Sequence, residues 1–585
     1  MAKWGSILRR LACLALCSHL AGVGAWALDE RQKPKEPEVP KPAPPEIPPP
    51  EEEEKPDETK KLDENKVLVE ALNGVRFVSK AEDVLKETDL KGVEIAGVDM
   101  LDHDDFREEI KEVLGEPITL KFIRDLARKA VLYYRAHDRP FVKISVPEQD
   151  ITTGVVQYLV VESKIGKVTI EGDRFWRTKQ YADAVNLKPG DEISEKQLIE
   201  DLNYFNENAF RSVKPVFKPG AEPNTTDLVL QAEERFPVRF YGGYEDTGTQ
   251  TTGLDRWLVG FNWANGFMHE HEIGYQFSAD IEARRLLSHS GYWRIPLPHR
   301  HKLQLSGGYS TIQAPINEDL NNTGFNFQLS LRYIAPLPRL GKYRHEAQLG
   351  FDFKQTDNNL EFGGQEVFSS LVDVLQAALQ YNGNYPDDWG RTNFTLNAYY
   401  SPGHLSDLNT SRVYGQARAA TDPQYAYSLL ALERTWSLPK EITFVNRLKG
   451  QVSSARLQST EQLLVGGFAS VRGYDDRLIA GDEGFEVSTE LRSPNFSLGL
   501  INGDPQYDNR IQFVAFWEFA RTYNFANVFG ERKHTDIESV GGGVRYRLGS
   551  HLSVHFDYGR QLRRIDGNVE GGDRGRIHLG VVVSY

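Results

Sequence analysis

The feature that most constrains this chain is a two-residue alternation of apolar and polar side chains that recurs from Pro237 to Tyr585. In FNFQLSLRY, Phe325, Phe327, Leu329, Leu331 and Tyr333 fall on one side of an extended chain, and Asn326, Gln328, Ser330 and Arg332 on the other. The pattern returns in AQLGFDF (Ala347, Leu349, Phe351, Phe353) and NFTLNAYY (Phe394, Leu396, Ala398, Tyr400). It closes the sequence in IHLGVVVSY, where Ile577, Leu579, Val581, Val583 and Tyr585 share a face. Helical periodicity is absent from this half, and Gly, Asn, Asp and Pro turns separate one strand from the next. A soluble sandwich and a membrane barrel both produce a period of two. Polar and charged residues on the opposite face of strand after strand suit a water-filled lumen, and aromatics near strand ends suit membrane-interface girdles. The last residue is an aromatic flush with the last strand. At roughly 22 residues per strand and turn, this half provides about sixteen strands, an even number as in bacterial barrels. The expected fold over 236–585 is therefore a transmembrane β-barrel of about 16 antiparallel strands.

The start of the chain places it in an exported compartment. Lys3, Arg9 and Arg10 precede a mostly apolar run at 11–23, and Ala25-Trp26-Ala27 forms a small-x-small cleavage site, so 1–27 reads as a signal peptide. Lipidation of Cys17 is not expected, because Leu16 precedes it where a small residue is required. Cys13 and Cys17 are the only cysteines, so no disulfide is expected after cleavage. No later run approaches the ~20 apolar residues of a membrane helix. The net charge of −14 argues against a partner held through nucleic-acid phosphates. Residues 28–64 contain a Pro/Glu tract, KPKEPEVPKPAPPEIPPPEEEEKPD, which reads as a semi-rigid solvated linker.

Between linker and barrel the period changes. In 65–162, VRFVS reads as a strand. DDFREEIKEVLG and ITLKFIRDLARKAVLYYRAH then read as helices, with Phe122, Leu126, Ala130 and Tyr133 on one face of the second. PFVKISV and VVQYLVVE return as strands. In 163–235, KVTIEG, two helices and two closing strands repeat the order β-α-α-β-β, with a capping box expected at Ser194 and Gln197. The expectation is a tandem pair of small α+β modules.

One stretch in the barrel half is unusual. GGFASVRGY, 466–474, sets a single cation, Arg472, between Val471 and Gly473 among glycines and aromatics. In a barrel lumen such a cation needs an opposed carboxylate. The stretch belongs to RLKGQVSSARLQSTEQLLVGGFASVRGYDDRLIAGDEGFEVSTELRSP, 447–494. Together with VPEQDITTGVVQYLVVESKIGKVTIEGD, 146–173, YWRIPLP and SVGGGVRYRLG, it resembles the TpsB transporters of two-partner secretion, the relatives of haemolysin-secreting and filamentous-haemagglutinin-secreting pores. The resemblance spans 65–585. It implies two POTRA domains, 65–162 and 163–235, that capture an unfolded secreted partner in the periplasm. It also implies an outer-membrane barrel that passes the partner to the cell surface.

The resemblance further implies that Val471, Arg472, Gly473 and Tyr474 form the tip of a loop folded into the lumen. The family's arginine meets an aspartate within F-x-D-x-G on an inner strand. Here the matching residues are Phe516, Glu518 and Ala520 in FVAFWEFAR, so glutamate replaces the aspartate and alanine the glycine. Glu518 faces opposite to Trp517 and Phe519, so it is expected to be lumenal. Exchanging the two charges, Arg472→Glu with Glu518→Arg, is expected to restore part of transport. Tyr585 is expected to close the C-terminal strand as the barrel's insertion signal, read by the barrel assembly machinery in the presence of outer-membrane lipid. The family's amino-terminal plug helix is not expected, since prolines begin after Gln32.

Other candidates are weak. HEH at 269–271 and HRH at 299–301 place imidazole pairs on one face of a strand without a third metal ligand. GGGVRY at 541–546 has no following helix and is no dinucleotide loop. No nucleophile–His–acid set stands out, and no cofactor, metal or enzymatic activity is expected. Two alternatives remain open: an assembly factor for outer-membrane proteins, and a passive diffusion porin, which has no need of POTRA modules.

Overall fold

The computed structural model describes residues 64–585 except 86–87, 250–251, 316–319, 363–364, 501–507, 526–527, 529–530 and 566–574. The expected signal peptide, both cysteines and the whole Pro/Glu tract lie outside the described residues. The chain divides into two compact units, one ending at Phe236 and the other running from Pro237 to Tyr585.

The first unit contains two α+β modules. In the first, strands β1 (Val67–Val69), β2 (Gly74–Val78) and β3 (Gly92–Ala96) lead to helix α1 (Asp104–Lys111). Then follow β4 (Ile118–Thr119), α2 (Leu120–Ala136), β5 (Val142–Ser145) and β6 (Val155–Glu162). The main sheet has the order β3-β2-β6-β5, with β2 parallel to both β3 and β6. Thr119 caps α2 by accepting the Phe122 N–H at 3.0 Å. The buried residues of α2 are Ile123, Leu126, Ala130 and Tyr134, so Leu126 and Ala130 of the apolar stripe lie where expected and Ile123 and Tyr134 take the places expected for Phe122 and Tyr133. Phe122 and Tyr133 pack at its half-buried margin. The apolar stripe of a helix is wide enough for either choice, and contact with β6 settles it, where the Tyr158 hydroxyl donates to the Ile123 carbonyl at 3.0 Å. Tyr134 donates to Glu162 at 2.6 Å, and burial followed by that hydrogen bond pushes its pKa upward, which keeps it a donor.

The second module runs β7 (Lys164–Glu171), α3 (Thr178–Ala184), α4 (Glu195–Asn206), β8 (Arg211–Pro219) and β9 (Thr225–Glu234). Its sheet order is β7-β9-β8, with β7 parallel and β8 antiparallel to β9. The capping box expected at α4 is half realised. Ser194 accepts the Gln197 N–H at 3.1 Å, but the Gln197 amide turns to Asp201 instead of reaching back. The Ser194 hydroxyl donates to Asp138 of the first module at 2.5 Å, and Asp138 also accepts the Lys196 N–H at 2.6 Å. A residue of one module thus completes the helix start of the other.

The second unit is a closed antiparallel barrel. Its strands are β10 (Val238–Glu245), β11 (Arg256–Gly266), β12 (His271–Asp280), β13 (Leu286–Pro296), β14 (Lys302–Pro315), β15 (Leu320–Pro336), β16 (Arg344–Phe362), β17 (Gln365–Asp387) and β18 (Gly390–Pro402). A helix, α5 (Ser411–Ala417), precedes β19 (Gln424–Ser437) and β20 (Thr443–Ser453). A short ribbon of β21 (Leu463–Val465) and β22 (Ile479–Gly481) stands outside the wall. The wall resumes with β23 (Glu483–Arg492), β24 (Phe496–Leu500), β25 (Asp508–Tyr523), β26 (His534–Leu548), β27 (Leu552–Gln561) and β28 (Gly575–Ser584). Because β23 and β24 both pair with β25, they are two halves of one interrupted strand, and the wall is sixteen-stranded. β28 closes it on β10 from Tyr241–Ser584 to Glu245–Gly580.

The alternation sorts side chains across this wall. On β15, Leu329, Leu331 and Tyr333 are 43%, 45% and 43% exposed on the outside, while Asn326 and Ser330 are 5% exposed on the inside. An apolar outer band and a polar interior are the inverse of a soluble core, and match a barrel solvated by lipid. Helix α5 departs from the all-strand expectation; seven residues are too few to show a helical period. The histidine pairs are not on strand faces. His269 lies in the turn before β12, with His271 opening that strand, and His299 lies in the Pro298–Arg300 turn.

Candidate functional site

Residues 454–482 connect β20 to β23 at the rim opposite the one where β10 begins and β28 ends. The loop narrows through the β21–β22 ribbon, with Leu463, Leu464 and Val465 opposite Gly481, Ala480 and Ile479. Gly466 and Gly467 then turn the chain at φ of 121° and 87°. The tip, 466–478, packs inside the barrel. Val471 and Tyr474 are buried with Leu463, Val465 and Ile479 against Ala520 and Ile537 of the wall.

Arg472 is 1% exposed and sits within a group of carboxylates. Its Nη2 donates to Glu518 Oε1 at 2.6 Å and to Glu490 Oε1 at 2.6 Å. Its Nε lies 3.1 and 3.2 Å from the two Glu518 oxygens, and its backbone N–H donates to Glu518 Oε2 at 2.6 Å. Nη1 reaches Asp557 Oδ1 at 3.4 Å. The guanidinium carbon stands 3.5 Å from the Phe516 ring centroid, a cation–π contact. A guanidinium can serve three carboxylates and a ring at once because its donors form a planar fork; an ammonium cannot. The carboxylates have further cations. Arg492 binds Glu490 at 2.5 Å, and Arg447 lies 3.4 Å from it. Arg545 binds Asp557 at 2.9 Å. Glu518 also takes a hydroxyl bond from Ser488 at 3.1 Å.

The rest of the tip is fastened through main-chain groups. Gly473 N–H donates to His578 Nε2 at 3.1 Å, and Gly473 C=O accepts from Gln561 at 2.6 Å. The Tyr474 hydroxyl donates to the Arg563 carbonyl at 2.7 Å. Asp475 pairs with Arg576 of β28. Gly473 has φ of 93° and lies so close to β27 that a Cβ there would stand 2.6 Å from the Gly559 carbonyl oxygen. Both facts select glycine.

The residues singled out in the sequence fall as follows. Val471, Arg472, Gly473 and Tyr474 are all in the tip, and Phe516, Glu518 and Ala520 share the inward face of β25. Ala520 fills space beside Val471 and Tyr474, and it is Gly559 that lets the wall backbone meet the tip. Tyr585 is not part of this site; its backbone exchanges hydrogen bonds with Phe240 at 2.9 and 3.1 Å, and its side chain is exposed. Glu490, Asp557, Gly559 and His578 escaped the sequence reading. A signal for two of them exists. Asp557-Tyr558-Gly559 repeats the acid-x-small spacing of Glu518-Phe519-Ala520. Glu490 shares its alternation with Glu486 and Ser488, but only strand order shows that it borders Arg472.

The comparisons with known proteins bear on this arrangement. The family model described as haemolysin secretion/activation protein ShlB/FhaC/HecB matches 224–507. A POTRA domain of ShlB type matches 88–163, and a further POTRA model, described as a surface antigen variable number repeat, matches 163–235. The heme/hemopexin transporter protein HuxB of Haemophilus influenzae is 21% identical over 494 residues, covering 82% of this chain and 84% of that protein. The outer membrane transporter CdiB of Dickeya dadantii is 23% identical over 409 residues, covering 64% and 66%. The solved structure of CdiB from Escherichia coli superposes with a TM-score of 0.69 at 15% identity, covering 90% of this chain and 92% of that one, a likeness of fold. With the three models following one another from the α+β modules into the barrel, the chain belongs to the ShlB/FhaC/HecB (TpsB) family of outer-membrane transporters of two-partner secretion, which are not enzymes.

Proposed function

We propose that the chain captures one unfolded partner exoprotein with periplasmic POTRA domains at 65–162 and 163–235 and passes it through the barrel of 236–585. In this reading the Arg472 tip is the gate. One observation carries it: a buried loop tip, tied to the wall through Arg472, occupies the lumen that a client must use. The captured segment adds as an extended strand to an edge of one of the α+β sheets, where main-chain hydrogen bonds suit a client without structure. Folding of the exoprotein outside supplies direction, since neither ATP nor a membrane potential is available there. Insertion of the chain itself uses the barrel assembly machinery, with the Tyr585 end as its signal and outer-membrane lipid as its solvent.

The test is co-expression with a candidate exoprotein encoded beside this chain. The partner is expected in the medium or on the cell surface only when the chain is present, and to remain in the cell when it is absent. Equal export with and without the chain would remove the proposal.

A further inference from the structure

The inward loop has another buried ion pair, on its rising arm, ahead of the glycine turn that opens the tip. Glu461 ends the turn Ser459–Glu461, before β21, and its side chain is fully buried. Lys354 of β16 binds its Oε1 at 2.7 Å. The Tyr427 hydroxyl of β19 donates to Oε2 at 2.7 Å, and the Gln376 amide of β17 at 3.0 Å. Gln451 of β20 donates to the Glu461 carbonyl at 3.0 Å and to the Asp482 carbonyl at 3.1 Å, tying the two loop arms together. These partners lie on β16, β17, β19 and β20, whereas the Arg472 partners lie on β23, β25 and β27. The two anchors share no residue. Between them lie Gly466 and Gly467, both at positive φ, where backbone rotation is least hindered.

We propose that Glu461 is an independent positioning residue that pins the arm of the loop to the β16–β20 wall, so that opening swings the tip about Gly466–Gly467 and leaves the arm in place. The loop does not leave the lumen as one body. This rests on the reading of Arg472 as the gate, and it adds what that reading lacks, a fixed pivot. Breaking the Arg472 pairs touches none of the Glu461 contacts, and a buried charge with three satisfied partners resists removal.

Two conservative reporters separate the alternatives. Ser470→Cys places a thiol in the tip, and Thr460→Cys places one in the arm; both positions are buried, and the Thr460 hydroxyl has no hydrogen-bond partner to lose. The sequence has no cysteine after Cys17 to compete for label. Maleimide labelling is measured on the full chain in outer membranes, with heat-modifiable gel migration reporting assembly. In the Arg472→Ala background, labelling at 470 is expected to rise about tenfold or more while labelling at 460 stays within about twofold of its starting rate. Adding Glu461→Gln is expected to raise labelling at 460 to the level of 470. If 460 and 470 rise together in Arg472→Ala alone, or if 460 stays protected with both substitutions, the pivot is overturned. If 470 stays protected in Arg472→Ala, the gate reading falls and the pivot with it. Should Arg472→Ala not assemble, the near-isosteric Glu518→Gln takes its place with the same expected results.

Discussion

Arg472→Ala is expected to cut partner export at least tenfold while the barrel still assembles, and to raise ion conductance through purified pores. The size of the effect follows from what the substitution leaves behind. Arg492, Arg447 and Arg545 still neutralise Glu490 and Asp557, but Glu518, fully buried, loses the guanidinium that binds it most closely. Removing one member of a buried pair costs about 3–5 kcal/mol, because the other is stranded. At about 1.4 kcal/mol per factor of ten, the inward tip position loses roughly a hundredfold or more in population. The barrel keeps its form, because its ladders run from β10 round to β28 without using Arg472. Export falls, in the proposed mechanism, because the tip is no longer held where the client is to displace it. Heat-modifiable migration, planar-bilayer conductance and partner in the medium read the three effects separately. Export at the wild-type level from an assembled Arg472→Ala barrel would remove the gate.

The same geometry changes one expectation drawn from the sequence. Exchanging the charges of Arg472 and Glu518 restores transport only if the two act alone. They do not: a glutamate at 472 would face Glu490 and Asp557, which now lie 2.6 and 3.4 Å from the arginine. Like charges at such distances repel strongly away from water, so the double exchange is expected to fail.

Deletion of 65–235 is expected to abolish export and to leave an assembled barrel. The barrel wall begins at Val238 and draws no strand from the first unit. The first unit offers what an unfolded client needs, sheet edges with free main-chain groups. β8 is one edge of the β7-β9-β8 sheet, and β3 and β5 are the edges of the other. A barrel without them has no means of selecting its partner from other periplasmic chains. The measurement is partner in the medium against partner retained in the cell, with the gel shift of the shortened barrel as control. Export that survives the deletion would place recognition in the barrel itself.

The barrel was legible because a period of two is a local property. Leu329, Leu331 and Tyr333 sort to the outside by their own spacing, whatever their neighbours are. The α2 stripe was legible at its centre, Leu126 and Ala130, but not at its ends, since Phe122 and Ile123 both lie within an apolar arc and only the sheet beneath chooses between them. The same holds at α4, where Asp138, remote in sequence, takes the Ser194 hydroxyl that a local capping box does not use. Arg472 stood out as a lone cation, and its facing strand was marked by Phe516, Glu518 and Ala520. The remaining partners were hidden because they are fixed by strand order. Glu490 and His578 come from β23 and β28, and nothing local in their sequence points toward Arg472; Asp557 of β27 carries only the acid-x-small spacing that it shares with Glu518. Glu461 lies within the 447–494 stretch with no local mark of its own, and its role depends on Lys354, more than a hundred residues away.

The most direct test of the account is export of the partner by Glu518→Gln. This change keeps the shape of the side chain and its place on β25, and removes one of the three carboxylate charges that face Arg472, the one bound through Nε, Nη2 and the backbone N–H. The account predicts an assembled barrel whose export falls about tenfold or more, consistent with about 1.4 kcal/mol or more lost from the clamp. Export equal to that of the unmodified chain would contradict it.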